Sequence, residues 1–173
     1  VTIDPAVYPA TASGVTDTYI NSYSKTLAPY NYQYLYVGNT TQFYWKTANM
    51  PTIPDSAYVT KATFTAKYIG GTAETSTYYF GAYQVTSEWD NTLTWNKYKA
   101  SPASGAYVYA DIVDYTTATL AAGVPKDYTY TWDVTEIMRN CKDSNSFKGI
   151  CISDIPGYTT KNTKFASSEY TTV

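Results

Sequence analysis

Glu88 and Asp90 stand on either side of Trp89 in the run SEWDN, and no other stretch of the chain comes nearer to acid–base chemistry. Hydrolysis of a glycosidic bond takes two carboxyl groups facing one bond, roughly 5–9.5 Å apart, one protonated and one ionised. Asp111 with Asp114 and Asp133 with Glu136 are the other close pairs. The last pair has a plainer role. An Asp at a helix start with Glu three residues on satisfies backbone N–H groups that the helix leaves open. Spacing alone does not bring two carboxylates onto one bond, so no catalytic residue is assigned. The chain has no histidine, which removes Ser–His–Asp and Cys–His nucleophiles and the commonest ligands of catalytic zinc. Calcium would take roughly six to eight oxygen ligands. Asp17, Asp90 and Asp154 are too scattered to form a calcium loop, and no metal or cofactor is expected.

A second chemistry open to the chain is stacking on sugars. A sugar ring has apolar C–H faces and a polar rim, so its site pairs an aromatic platform with amide, charged or hydroxyl groups. Tyr34, Tyr36, Trp45, Trp89 and Tyr98 are the candidate platforms, with Gln33, Asn39, Asn91 and Lys97 as polar company. Each of these aromatics competes with a role in packing, while Trp95 and Trp132 sit in strand-like patterns and read as core. The run YNYQYLYVGN places tyrosine at 30, 32, 34 and 36, all on one face of an extended strand. The other face carries Asn31, Gln33, Leu35 and Val37. Leu35 and Val37 are therefore expected to point inward and Tyr34 and Tyr36 outward, since a one-residue slip in register would exchange the faces.

The elements that must position these residues are strands. The 173 residues include 21 Tyr and, by count, 29 Thr, types that fit a pleated, half-buried surface. KATFTAKYIG sets Ala62, Phe64, Ala66 and Tyr68 against Thr63, Thr65 and Lys67. YTYTWDV sets Tyr128, Tyr130, Trp132 and Val134 against Thr129, Thr131 and Asp133. TYYFGAYQV, GAYVYADIV and KGICIS also read as strands. Helix is confined to about two turns in DVTEIMRN, with Val134, Ile137 and Met138 on one face, and one turn in TTATLAAG. The expected fold is all-β, a two-sheet antiparallel β-sandwich of jelly-roll type with one or two short helical turns. Residues 1–173 are expected to form a single module, with 1–14 a linker or an extra or exchanged strand. The net charge of −2 and the single arginine, Arg139, argue against nucleic acid as a partner. No apolar run approaches the roughly 20 residues of a membrane-spanning helix. Cys141 and Cys151 flank a polar loop. A disulfide there fits an oxidising compartment, and two separate thiols are the alternative. With Val1 at its start and no leader pattern, the chain is expected to be a processed or excised part of a longer protein.

DTYINSY, YLYVGN, MPTIPDSAYVTKATF, VTSEWDNTLTWN, TWDVTEIMR and FASSEY follow one another between residues 17 and 170. In this order they resemble the DNRLRE domains, which include the family ninety-six carbohydrate-binding modules. The resemblance implies a β-sandwich module of a large secreted or cell-surface protein in bacteria or archaea. It departs in three places. Ala48 and Asn49 stand where the family has a Phe-Asp pair, the cysteine pair is not a family feature, and the chain stops at Val173 before the family's Asp-Asn-Arg stretch and closing strand. Either the opening VTIDPAV folds back into that gap, or a neighbouring subunit donates a strand, or a boundary has clipped it. In such a chain Asn39 of NTT is read as a turn residue rather than a glycan acceptor. Two functions follow as expectations. The first is a non-catalytic, extracellular module that binds polysaccharide by stacking and polar contacts. The second is a structural or assembly module of a surface stalk, shell or fibre, whose partners are neighbouring domains or identical subunits.

Overall fold

The computed structural model describes residues 14–29, 31–48, 50, 52–71, 80–99, 127–143, 146–154, 162–168 and 170. The expected strand GAYVYADIV, the helical turn TTATLAAG, Asp111, Asp114 and the segment 1–13 lie outside the described residues. Eight strands are described: β1 Val15–Asn21, β2 Tyr34–Val37, β3 Thr41–Thr47, β4 Thr63–Gly71, β5 Phe80–Gln84, β6 Thr129–Asp133, β7 Ile150–Asp154 and β8 Thr163–Ala166. Two helices, α1 Trp95–Lys99 and α2 Thr135–Asp143, accompany them. The strands form two four-stranded antiparallel sheets, ordered β1-β3-β7-β5 and β2-β8-β4-β6. Odd-numbered strands make one layer and even-numbered strands the other. This is the expected antiparallel sandwich.

Alternation decides what lies between the layers. In β4 and β6, Phe64 opposes Trp132 and Ala66 opposes Tyr130, while Thr63, Thr65, Thr129 and Thr131 face solvent. From β2 and β8 come Leu35, Val37 and Phe165; the first sheet answers with Phe43, Phe80, Ala82, Ile150 and Ile152. Trp132 ties the layers together. It is fully buried against Phe64, Tyr130 and Phe165, and its indole N–H donates to the carbonyl of Phe80 on β5 at 2.9 Å. An indole buried this way needs such a partner, because an unmet N–H in an apolar setting is costly.

The first sheet is apolar on its outer face too. Ile20, Tyr44, Tyr83 and Cys151 point away from the second sheet and are covered by Val85, Trp89, Leu93 and Tyr98, with Trp95 half-buried beside them. Trp95 opens α1 and stacks on Tyr98 with ring centroids 5.4 Å apart, so its expected place in a strand is corrected to a helix. Helix α2 starts where DVTEIMRN predicts. Asp133 accepts from the Thr135 N–H at 2.9 Å and from its hydroxyl at 2.6 Å. Those two bonds, the hydroxyl first, hold the Asp133 carboxyl below the usual carboxylate range. Glu136 does not reach back to complete a capping box; it pairs with Arg139 one turn on. The one arginine of the chain also donates from Nε to the Val59 carbonyl at 2.9 Å and lies 4.5 Å over the Tyr58 ring. Its work is to fasten the 52–62 connection to α2.

Trp132→Ala is expected to cost about 3–5 kcal/mol through the cavity it opens. Trp132→Phe keeps most of the ring but loses the indole bond to the Phe80 carbonyl, for about 1–2 kcal/mol. Urea denaturation midpoints of the two variants check the order.

Candidate functional site

Nine residues were singled out for a sugar site, and the fold sends them to opposite sides of the molecule. Trp89 and Tyr98 are buried in the cover over the first sheet. The Trp89 indole donates to the Lys148 carbonyl at 2.6 Å, its ring lies 5.6 Å from that of Tyr44, and Lys46 sits 4.8 Å over it. Neither ring is a platform; both are corrected to core. Trp45 lies on the inner side of β3, half-buried against Phe64 at 5.3 Å and Phe147 at 6.4 Å, and is likewise packing. Asn91 and Lys97 are exposed beside the same cover, with the Lys97 ammonium bonded to the Thr92 hydroxyl. Asn39 lies exposed in the Gly38–Thr41 turn that follows β2.

Gln33, Tyr34 and Tyr36 do come together. With Tyr19, Asn31 and Tyr32 they line an open groove of about 430 Å³ where β1 of one sheet meets β2 of the other. Leu35 and Val37 fill the interior as the alternation requires, which turns Tyr34 and Tyr36 outward. Tyr34 and Tyr32 are 38% and 45% exposed, enough to present ring faces to a ligand. Tyr19 forms the floor, 5.0 Å from the Tyr36 ring and 6.3 Å from Tyr32. Burial first, then the neighbouring phenols of Tyr36 and Tyr32, push the Tyr19 hydroxyl up to about 12, so it stays a neutral hydrogen-bonding group.

Ser167, Ser168, Lys164 and Tyr170 flank this groove. Ser167 donates from its hydroxyl to the Tyr32 carbonyl at 2.7 Å and from its N–H to the Gln33 carbonyl at 3.1 Å. The Ser168 N–H donates to the Asp17 carboxylate at 2.6 Å, reaching the β1 side. On β8, Lys164 lies 5.5 Å over the Tyr34 ring and 5.6 Å over Tyr36, a cation on two aromatic faces. Tyr170 packs 6.2 Å from Tyr34. Sequence reasoning found Tyr34, Tyr36 and Gln33 but not Tyr19, Lys164 or Tyr170. Their only signal was membership of DTYINSY, NTKFASSEY and the paired strands between them. Tyr32 stood in the quoted tyrosine row.

The carboxylates have other partners. Glu88 is exposed and 3.7 Å from Lys148. Asp90 accepts from the Thr92 hydroxyl and N–H at 2.6 and 2.8 Å, the first of these bonds doing most to lower its pKa. Asp154 is raised by burial. Among the described residues no three His, Cys, Asp or Glu side chains gather where a metal could bind. No described helix is long and apolar enough to cross a membrane.

The expected disulfide is also corrected. Cys141 and Cys151 are separate buried thiols. Cys151 lies on the outer side of the first sheet among Tyr44, Tyr83 and Trp89, whereas Cys141 of α2 belongs to the core between the sheets. A layer of sheet separates the two environments. Burial pushes Cys141 up to about 11 and Cys151 higher still.

Compared with known proteins, the chain matches no family model and no curated sequence.

A thiol that ionises at its ordinary 9.0 when unfolded and near 11 when folded leaves the native state holding more protons between those values. Stability is therefore expected to fall as pH rises through that window. At about pH 8 neither thiol of the native protein should react with Ellman's reagent, while both react in urea; a disulfide would leave the unfolded chain unreactive.

Proposed function

We propose that this chain is a non-catalytic carbohydrate-binding module, working outside the cell or at its surface, that holds polysaccharide in the tyrosine groove. One observation carries the reading. Exposed rings of Tyr32 and Tyr34 alternate with the exposed amides of Asn31 and Gln33 along one edge of the groove. Ring faces suit the C–H side of a pyranose, and amides between them suit its hydroxyls. Of the candidate carboxylates, Asp90 is bound up in a turn, Asp133 in a cap, and Glu88 and Glu136 in ion pairs, which favours binding over hydrolysis. A resemblance to DNRLRE domains, which include carbohydrate-binding modules, leads the same way. Modest affinity suffices for such a module, because tethering raises the effective concentration of whatever is attached to it at the polymer.

The second reading, an assembly module of a surface stalk, shell or fibre, is favoured by a different observation. β1 and β2 lie at the edges of their described sheets, on the same side of the sandwich as the tyrosines, and tyrosine suits a half-wet interface. Sedimentation tests the form of this reading in which identical subunits join, since that requires self-association and glycan binding requires none.

Affinity electrophoresis of the folded chain through acidic and neutral polysaccharides is expected to retard it in at least one of them. Tyr32→Ala and Tyr34→Ala, both at exposed positions, should each weaken that interaction roughly tenfold, about 1.4 kcal/mol, with the thermal midpoint little changed. Free migration through every polymer would sink the proposal.

A further inference from the structure

The groove is one end of a longer surface. From Tyr19 and Tyr36 the aromatic contacts continue to Lys164, which touches both Tyr36 and Tyr34, and then to Tyr170, 6.2 Å from Tyr34. Tyr170 in turn carries Lys67 at 5.6 Å, and Lys67 ends in an ion pair of 2.7 Å with Asp127. Lys67 lies on β4, Lys164 on β8 and Tyr34 and Tyr36 on β2, so the line of contacts crosses the strands of the second sheet. Register explains why it is open. Ala166 faces Tyr34 across the β2–β8 pair, and its small side chain stands no obstacle between the tyrosine and the strands beyond. Thr63, Thr65, Thr129 and Thr131 give the far side of that face a floor of exposed hydroxyls.

We infer that the ligand surface is a track several sugars long, running from the Tyr19–Tyr32–Tyr36 groove over Tyr34 and Tyr170 to Lys67, and that it takes an internal stretch of an extended, linear polysaccharide rather than a chain end. This deepens the proposed function and rests on it. The ring-to-ring distances of 5.0 Å for Tyr19–Tyr36 and 6.2 Å for Tyr34–Tyr170 are close to the length of one pyranose, and the Lys164 and Lys67 ammonium groups over these rings are donors for the hydroxyls of a passing sugar. The described part of the groove is open to solvent rather than enclosed, as a passing chain requires. Lys67 and Asp127 form the far rim, where their paired charges offer both a donor and an acceptor.

The test uses the full chain and oligosaccharides of two to six sugars cut from the polymer that retards it, chosen from xylan, mannan, mixed-linkage β-glucan and polyuronate, with calorimetry as the readout. Affinity is expected to climb with each added sugar to about four or five, by several-fold per step. Tyr170→Ala should lower the affinity for four to six sugars by a larger factor than that for the disaccharide, and reduction of the reducing end should change nothing. Full affinity at the disaccharide, or loss on end reduction, overturns the track while leaving a compact glycan site standing. No retardation by any polymer overturns both. Tyr170→Ala that weakens all lengths equally also overturns it, and near-ultraviolet circular dichroism shows whether that variant keeps its packing.

Discussion

Burial of the first sheet on both of its faces is the constraint from which the rest of the arrangement follows. Phe43 and Tyr44 are neighbours on β3, point to opposite sides, and are both fully buried; so are Ile150, Cys151 and Ile152 on β7, almost without exception. A strand in this position cannot leave an aromatic to solvent. Its inner side chains need the second sheet, and its outer ones need the 85–99 segment with Trp89, Leu93 and Tyr98. At roughly 25 cal/mol per Å² of apolar surface removed from water, that double cover outweighs any advantage of displaying those rings. Glycine marks how tightly the cover is drawn. Gly149 has φ of +117°, and a β-carbon there would stand 2.6 Å from the Trp45 carbonyl. On the outer face of the second sheet Tyr34 is then left exposed and Tyr36 half-buried.

This explains what was legible in the sequence. β4 and β6 alternate rings with threonine, so their inward and outward faces could be assigned from the residues alone. The YNYQYLYVGN run was ambiguous only in its first half. Leu35 and Val37 fixed the second half, and Tyr34 and Tyr36 fell on the outer face as read. Strands buried on both sides give no such contrast. In β3 and β5 rings stand on both faces, Phe43 and Trp45 against Tyr44 and Phe80 against Tyr83, so period carries no information about which ring meets solvent. Trp89 and Tyr98 were misplaced for a related reason. Their segment reads as a polar loop around SEWDN, and nothing local reveals that it folds back as a lid over Tyr44 and Tyr83. The cysteines failed similarly, since ten residues of separation says nothing about the sheet that stands between them.

The groove depends on a different kind of information. Its floor comes from β1, its wall from residues 31–36, and its brace from Ser167 and Ser168, segments far apart in the chain. Each hydrogen bond in that brace goes to a backbone carbonyl or to one buried carboxylate, Asp17. A carboxylate so enclosed is tolerable because charge-assisted bonds replace the water it has lost. Tyr130 is the opposite case. Its hydroxyl is buried with no hydrogen-bond partner among the described residues. We have no physical account of that.

The order of the strands has a consequence for how the molecule is made. β8, the last described strand, is inserted between β2 and β4, and β7 between β3 and β5. A ribosome therefore delivers one central strand of each sheet after all the other described strands. The first layer stays split until β7 has emerged and the second until β8 has, so Phe43 and Phe80 wait for Ile152, and Phe64 and Trp132 for Phe165. Assembly of such long-range pairs is slow and exposes sticky intermediates. A chain shortened by its final two strands would retain Tyr32, Tyr34 and Tyr36 yet have no sandwich to carry them.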